Sequence, residues 1–155
     1  MISPQWLAGF FDGEGNIGIT VAGKHRRCIL RLSLVNTAYD LLASIQSEYG
    51  GQLNRRSRSE KPHWKPFCSL TWTNRQAAIL IDRIGLFLIL KSKQLDLARV
   101  FLSLRDSPNR FEIGSLPHLK VRERNFVRRL DPGMLQIEND IKSKMHELNK
   151  KGRAA

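Results

Sequence analysis

Two pairs of strand-like segments, each following a helical segment, constrain the fold of this chain most. Residues 17–21 and 28–35 alternate apolar and polar side chains, which is the period of a half-buried strand. Two further strands are predicted at residues 52–58 and 67–73. Strands in adjacent pairs with short connections favour antiparallel pairing. The sequence therefore predicts an α+β fold, with a saddle of antiparallel strands and helices packed on one of its faces.

Helical segments separate and follow these strands. Ser3 and Pro4 are typical of a helix start, a capping hydroxyl and then proline at the first helical position, and this helix should end near Gly13 or Gly15. Further helices are predicted over residues 39–49, 75–84, from the apolar run 86–90 to about 104, 118–130 and 133–149, with a loop over 105–117. The predicted order is αββαββα, followed by C-terminal helices.

The length suits one domain with a proper core. Residues 1–155 are predicted to form that single domain, with the core over 1–104 and a C-terminal helical region over 105–155. The large side chains predicted to lie in the core include Trp6, Trp72, Phe87 and Leu88.

Charge is the strongest signal in the composition. The chain has 26 Lys and Arg against 14 Asp and Glu, a formal net charge of +12. An excess of this sign attracts polyanions, and it is typical of proteins that bind nucleic acid. An anionic membrane surface and a ribosomal partner are the alternatives that composition alone leaves open.

The two cysteines, Cys28 and Cys68, lie in apolar strand-like runs and in no CxxC pair. They are predicted to be buried thiols in a reducing compartment, not a disulfide or a zinc site. No apolar run is long enough to span a bilayer, and the first residues lack the pattern of a secretory signal. The expected location is intracellular, in a prokaryotic cytoplasm or an organelle.

One face of the predicted sheet carries side chains of the types that pair with base edges in DNA. Arg pairs with guanine, Asn and Gln pair with adenine, and Ser and Thr pair with either. The predicted DNA-binding residues of this face are Asn16, Thr20, Arg27, Arg31, Ser33, Gln52, Asn54, Arg56, Arg58, Ser69 and Thr71. No acidic residue belongs to the set, which favours DNA binding over a merely solvated face. Lys24, Arg26 and Lys65 lie in the loops, where phosphate contacts are expected.

The segment Leu7–Gly15, LAGFFDGEG, has an unusual composition for the end of a helix. Gly9 and Gly13 lie four residues apart, so another backbone can approach that surface closely. Asp12 and Glu14 lie at the C-terminal end, where the helix dipole disfavours acids. Acids in this position suggest a bound cation, and a solvated acidic turn is the alternative.

This segment resembles the signature of the LAGLIDADG homing endonucleases, with Phe10 and Phe11 in the two central apolar positions and Gly13 in place of alanine. The order of predicted elements is also similar to the single-motif branch of that family through about residue 104. Because the chain carries one motif, the resemblance implies a homodimer. It implies a site-specific, intron-encoded endonuclease with a homing-endonuclease-like fold, which cuts double-stranded DNA at a long pseudo-palindromic target.

The resemblance also implies the parts of a dimer-interface active site. Two copies of the helix would pack through Ala8, Gly9, Asp12 and Gly13. Glu14, where the family often has Asp, would hold a divalent metal beside the backbone carbonyl of Gly13. The metal implied is Mg²⁺ or another divalent cation such as Mn²⁺, with Ca²⁺ supporting binding without cleavage.

Two further catalytic residues follow from the resemblance. Lys91 corresponds to an active-site lysine of the family, and Asn36 to a residue that contacts the water network. The alternatives are a solvated lysine at a helix start and a plain helix cap. A basic residue that some family members have after the second strand has no counterpart, since Ala38 and Tyr39 occupy that region. An RNA maturase or a DNA-binding regulator remains the alternative function, and the presence of Glu14 and Lys91 favours cleavage.

Overall fold

The computed structural model describes residues 1–22, 27–56, 66–106, 111–112 and 129–151. The helices in this part are α1 (Pro4–Glu14), α2 (Tyr39–Tyr49), α3 (Arg75–Ile84), α4 (Ser92–Arg105) and α5 (Pro132–Lys151), with a 3₁₀ helix at Gly85–Phe87. The strands are β1 (Gly15–Ala22), β2 (Arg27–Asn36), β3 (Gln52–Arg56), β4 (Phe67–Thr73), β5 (Phe111–Glu112) and β6 (Arg129–Leu130). The predicted α+β fold and its αββαββα core are confirmed.

The four longer strands form one antiparallel sheet in the order β1-β2-β4-β3. Ile17 lies opposite Leu32, and Leu34 lies opposite Leu70, so these side chains share one face. That face is buried against the helices and forms the core. Because side chains alternate along a strand, the polar residues between them lie on the opposite, outer face.

Helix α1 begins and ends as its sequence predicts. The Ser3 hydroxyl accepts a hydrogen bond from the amide of Trp6 at 3.2 Å, and Pro4 occupies the first turn. At the other end Gly15 turns the chain directly into β1. A Cβ atom at Gly15 would lie 2.5 Å from the Phe11 ring, so only glycine allows this close approach. The strand therefore starts immediately beneath the acidic end of the helix.

Two of the four large side chains predicted to lie in the core are buried. Trp72 and Leu88 are buried, whereas the prediction is wrong for Trp6 and Phe87, which are exposed. Trp6 stacks on Phe10 along an outward side of α1, and Phe87 ends the 3₁₀ helix. Cys28 and Cys68 are buried and are not joined in a disulfide, as predicted.

The C-terminal helix α5 packs against α4 and against β1, the edge strand of the sheet. The predicted helix over 133–149 is confirmed. Most of the helix predicted over 118–130 lies outside the described residues. Its last two residues, Arg129–Leu130, pair as a strand with Phe111–Glu112, so the helix prediction is wrong there and the predicted loop over 105–117 contains a strand. Pairing between distant segments overrides the local helical spacing.

Among the helices that the structure describes, none combines the length and the apolar character needed to cross a membrane.

Candidate functional site

The two acids at the end of α1 have different surroundings. Asp12 is 9% exposed, and its carboxylate accepts hydrogen bonds from three successive backbone amides, those of Ile89 (2.7 Å), Leu90 (3.1 Å) and Lys91 (3.1 Å). Glu14, the last residue of α1, is exposed. Asp12 therefore stabilises the fold, and the Glu14 carboxylate lies outside the protomer core.

Asp12 also places Lys91 at the end of α1. The backbone amide of Lys91 binds the Asp12 carboxylate, and its ammonium group donates to the main-chain carbonyl of Asp12. Both contacts join the segment that precedes α4 to the acidic end of α1. They bring together Glu14 and Lys91, two residues that lie far apart in the sequence and were both predicted to be catalytic.

Lys91 is half-buried at this junction. Burial lowers the pKa of its ammonium group, because an apolar environment disfavours the charged form, and the nearby carboxylates of Asp12 and Glu14 partly oppose this effect. The lysine thus lies in a partly desolvated position beside one exposed carboxylate. A cation in such a position interacts with phosphate charge more strongly than a fully solvated lysine does.

The oxygen ligands at the end of α1 suit a divalent metal that is shared with a second molecule. Within the described ranges no group of three or more His, Cys, Asp or Glu side chains could hold a metal. Glu14 supplies one carboxylate, and the Gly13 carbonyl belongs to the last turn, whose carbonyls lack partners within the helix. Mg²⁺ is commonly bound by one or two carboxylates together with substrate phosphates and water. The residues present therefore fit Mg²⁺ when DNA and a second protomer supply further oxygens.

Asn36 lies at the end of β2 and has a structural contact of its own. Its side-chain oxygen accepts a hydrogen bond from the Ala38 amide at 2.9 Å and forms the turn into α2. This contact belongs to the turn before α2, whose N-cap residue Ala38 has no side-chain capping hydrogen bond, so the catalytic role of Asn36 stays a prediction. Asn36 continues β2 two residues past Leu34, which lies opposite Gly15, so it stays close to the acidic end of α1.

The surface of α1 that a second copy could contact differs from the predicted set. Ala8 is 0% exposed, and like Asp12 it is enclosed by its own protomer. Gly9 and Gly13 are exposed, and a Cβ atom built on either would meet nothing within 4 Å. Of the four residues predicted to form a dimer interface, Gly9 and Gly13 are accessible on the surface of the protomer, whereas Ala8 and Asp12 are buried. The dimer interface itself stays a prediction.

Large apolar side chains are also exposed on α1 and on the segment that packs against it, and sequence reasoning missed them. Trp6 is 47% exposed on α1, and the 3₁₀ helix and the segment after it expose Leu86 (84%), Ile89 (79%) and Leu90 (75%). The 3₁₀ helix packs against α1, and Asp12 binds the amides of Ile89 and Leu90. We name these four residues the apolar rim. The uninterrupted apolar run over residues 86–90 could have predicted this exposure, because a segment with no polar side chain must expose some apolar side chains wherever it reaches the surface.

The register of the sheet brings the predicted DNA-binding residues onto one face. Asn16 lies opposite Ser33, Ser33 opposite Thr71, and Thr71 opposite Gln52. Strand alternation places the others on the same outer face, namely Thr20, Arg27, Arg31, Asn54 and Ser69, and the backbone of Arg56 pairs with Phe67. Lys24, Arg26, Arg58 and Lys65 lie outside the described residues.

Two hydroxyl residues of the outer face are poorly accessible. Ser69 and Thr71 are each 7% exposed, between neighbouring side chains of the central strands. The Arg31 guanidinium donates to the Thr71 hydroxyl at 3.4 Å, two residues along β4 from its direct cross-strand partner Thr73. The Thr71 hydroxyl can therefore orient Arg31, and the contact of Thr71 with DNA stays a prediction.

Two apolar residues on the same face were also missed. Ile29 lies opposite Thr20 and Val35 opposite Ser69, so both belong to the outer face, and Val35 is exposed. In the sequence they break the alternation of β2, and that break was the available signal. Apolar side chains on a DNA-reading surface contact the thymine methyl group.

Comparison with known proteins gives a consistent result. A family model described as LAGLIDADG endonuclease matches residues 7–101, more than half of the chain. No curated protein sequence matches the chain. The chain is similar to solved structures of the homing endonuclease I-CvuI in complex with its target (TM-score 0.66, 19% identity, covering 94% of this chain and 80% of that one) and the archaeal intron-encoded homing endonuclease I-Vdi141I complexed with DNA (0.56, 15%, 94% and 96%). A third, LAGLIDADG homing endonuclease I-GzeII in complex with its DNA target, has a TM-score of 0.61 and 16% identity, covering 92% of this chain and 44% of that one.

Proposed function

This chain belongs to the LAGLIDADG endonuclease family, and we propose that it is a homodimeric, divalent-metal-dependent DNA endonuclease that cuts both strands of a long pseudo-palindromic target. The observation that carries this proposal is the division of roles at the end of α1. The Asp12 carboxylate accepts hydrogen bonds from three backbone amides, whereas Glu14 stays exposed beside Lys91.

The proposed reaction is hydrolysis of a phosphodiester bond. The oxygen of a water molecule forms a bond to phosphorus and the bond to the 3′-oxygen breaks, which leaves a 5′-phosphate and a 3′-hydroxyl. A divalent metal, when bound, stabilises the charge that develops on the phosphate and on the leaving oxygen. Glu14 and the Gly13 carbonyl would hold it, together with phosphate oxygens of the DNA.

Lys91 acts on the same phosphate in this scheme. Its ammonium is held by the Asp12 carbonyl at the junction with α4, so little reorganisation is needed when negative charge increases in the transition state. Asp12 positions both groups, since it joins the backbone of Lys91 to the helix that ends in Glu14. Asp12 itself makes no contact with the reacting atoms in this proposal.

Two features support a homodimer. Gly9 and Gly13 form an open surface on α1 that allows a second backbone to approach closely, and the apolar rim exposes large side chains on α1 and on the segment packed against it. Large exposed apolar surface marks interaction sites. A second copy would bring its own Glu14 to the same place. Each of two opposed strands would then meet one carboxylate.

The outer face of the sheet supports DNA as the substrate. Arg, Asn, Gln, Ser and Thr side chains share it with no acid among the predicted DNA-binding set, and an antiparallel sheet can lie along the major groove. The similar structures of I-CvuI, I-Vdi141I and I-GzeII contain DNA. A maturase or a regulator of the same fold would use the same face without the chemistry of Glu14.

Cleavage of a randomised double-stranded DNA library in Mg²⁺ tests the proposal. We expect the wild-type chain to cut a small set of related pseudo-palindromic sequences, which sequencing of the products identifies. Glu14→Gln should bind the selected DNA with nearly unchanged affinity and cut it at least about 100-fold more slowly, since it removes a charged ligand without changing the shape of the side chain.

Asp140→Asn is the matched control, because it makes the same carboxylate-to-amide change at an exposed residue of α5. It should cut like the wild type. A wild-type chain that binds DNA but cuts none in Mg²⁺ or Mn²⁺ supports a regulator instead, and selective binding of structured RNA supports a maturase. Normal cutting by Glu14→Gln contradicts the metal assignment.

A further inference from the structure

The C-terminal helix forms a polar cleft with the edge of the DNA-facing sheet. The cleft has a volume of about 230 Å³ and lies between β1 and the second half of α5. Its walls on the β1 side include Asn16, Gly18 and Thr20, which belong to the outer face. The cleft therefore opens beside the surface that is proposed to read bases.

The chemistry of the cleft suits an anion. On the α5 side its lining includes His146, Asn149 and Lys150, and on the β1 side the Asn16 amide and the Thr20 hydroxyl. These groups can donate hydrogen bonds, and Lys150 adds a full positive charge. No carboxylate lines the cleft in the part of the chain that the structure describes.

The end of α5 is held firmly against β1. Ile141 and Met145 are buried one helical turn apart, and Asn149 continues the same side of the helix one turn later. The Asn149 side-chain amide donates to the main-chain carbonyl of Ile17 at 2.9 Å. Lys150 therefore follows directly after an anchored residue. A polar residue that continues a buried apolar stripe was the signal in the sequence for this contact.

We propose that this cleft binds a backbone phosphate of the DNA target, outside the base pairs that the sheet contacts. The proposal rests on the proposed function, because it takes DNA to lie along the outer face. β1 is the edge strand, so a group beyond it meets the flank of the duplex, where phosphates and not base edges are within reach. It assigns α5 a role in the length of the DNA footprint and in affinity.

Salt dependence of binding tests the assignment. Each phosphate that a side chain neutralises contributes about −0.9 to the slope of log K against log salt. With DNA selected by the wild-type chain and Ca²⁺ in place of Mg²⁺, we expect Lys150→Ala to reduce the slope by about 1.8 for a dimer on two half-sites. Lys150→Arg, which keeps the charge, should retain the wild-type slope.

Lys144→Ala is the matched control. Lys144 lies on the same helix but lines the groove between α4 and α5, with Asp96 and Glu147 beside it. We expect it to leave the slope unchanged. If Lys150 only balances the negative end of the helix dipole, Lys150→Ala will lower the melting temperature and leave the slope as it is, which overturns the proposal.

Neutral methylphosphonates placed singly along the DNA identify the phosphate. One position in each half-site, in the flank, should weaken binding of the wild-type chain and have little further effect on Lys150→Ala. Equal effects on both proteins at every position overturn the proposal. If the wild-type chain binds DNA without cutting it, the proposed function is contradicted, and the methylphosphonate series still tests the cleft. If the wild-type chain binds no DNA, both the proposed function and the phosphate site in the cleft are contradicted.

Discussion

At the scale of single residues, the two acids of the motif show how position decides the role of a side chain. Asp12 and Glu14 are separated by one residue, so a helix turns them to different sides. Asp12 faces the segment before α4 and satisfies three amides, whereas Glu14 remains exposed. The same functional group therefore serves the fold at one position and is available for chemistry at the other.

Replacing Asp12 by Asn should destabilise the protein. The amide keeps the size of the side chain but loses the charge, and one of its ends no longer accepts hydrogen bonds. Hydrogen bonds to charged groups contribute about 1.5–3 kcal/mol each, so we expect the free energy of unfolding to fall by about 2–3 kcal/mol. Urea unfolding measures it. Glu14→Gln is the control and should change it by less than about 0.5 kcal/mol; equal losses in both variants would contradict the different roles of the two acids.

Thr71→Val should relax base preference at one position in each half-site. Valine keeps the shape of threonine and removes the oxygen that orients the Arg31 guanidinium. A hydrogen bond from a charged donor contributes about 1.5–3 kcal/mol, and because this bond is long we expect the lower end, so discrimination at that position should fall by roughly tenfold. Cleavage profiling on targets that carry each single base-pair change measures it. Arg31→Ala should relax the same position more strongly, and relaxation at two different positions would contradict the orienting role of Thr71.

At the scale of elements, local patterns predicted what depends on neighbouring residues. The start of α1, the break at Gly15 and the span of β4 follow from capping, glycine and alternation. The pairing of β5 with β6 could not be predicted, because it joins residues 111–112 to residues 129–130 and the local spacing there favours a helix. The docking of α5 on β1 depends on a similarly distant contact.

Gly9→Leu should separate dimer formation from folding of the protomer. In a helix interior glycine is about 0.8–1 kcal/mol less favourable than alanine, and leucine ranks just below alanine, so leucine favours the helix more than glycine does. The space around Gly9 is open. We therefore expect helix content to be kept while the dimer dissociates and cleavage is lost. Sedimentation velocity and circular dichroism measure the two effects. Ser47→Leu, at an exposed position on α2, is the control and should stay dimeric. A dimer that survives Gly9→Leu would contradict packing through α1.

At the scale of the whole molecule, the net charge of +12 is expected to act through the DNA-facing surface. The outer face and the cleft beside it present cations and amides. The carboxylate of Asp12, by contrast, is held inside the protomer. The cations on the outer face and in the cleft therefore favour a polyanion on that side of the sheet.

Binding to the selected DNA should fall steeply with salt. A dimer that neutralises six to ten phosphates loses on the order of 1000-fold or more in affinity between about 50 and about 200 mM salt. Fluorescence anisotropy across that range, in Ca²⁺ to prevent cleavage, measures the loss. A decrease in affinity of less than about tenfold would contradict a charged DNA interface. As a control, the targets with single base-pair changes should bind with altered affinity and show an unchanged slope of log K against log salt.

The sequence by itself determined the four longer strands, most of the helices and the polar face of the sheet, because each depends on spacing between near neighbours. The motif in residues 7–15 was also sufficient to predict Glu14 as a metal ligand, before the fold was known. Only the tertiary structure decided that Asp12 and Ala8 are enclosed, that Thr71 binds Arg31, and that Lys91 meets the end of α1. These outcomes depend on which distant segments pack together, and one-dimensional spacing does not contain that information.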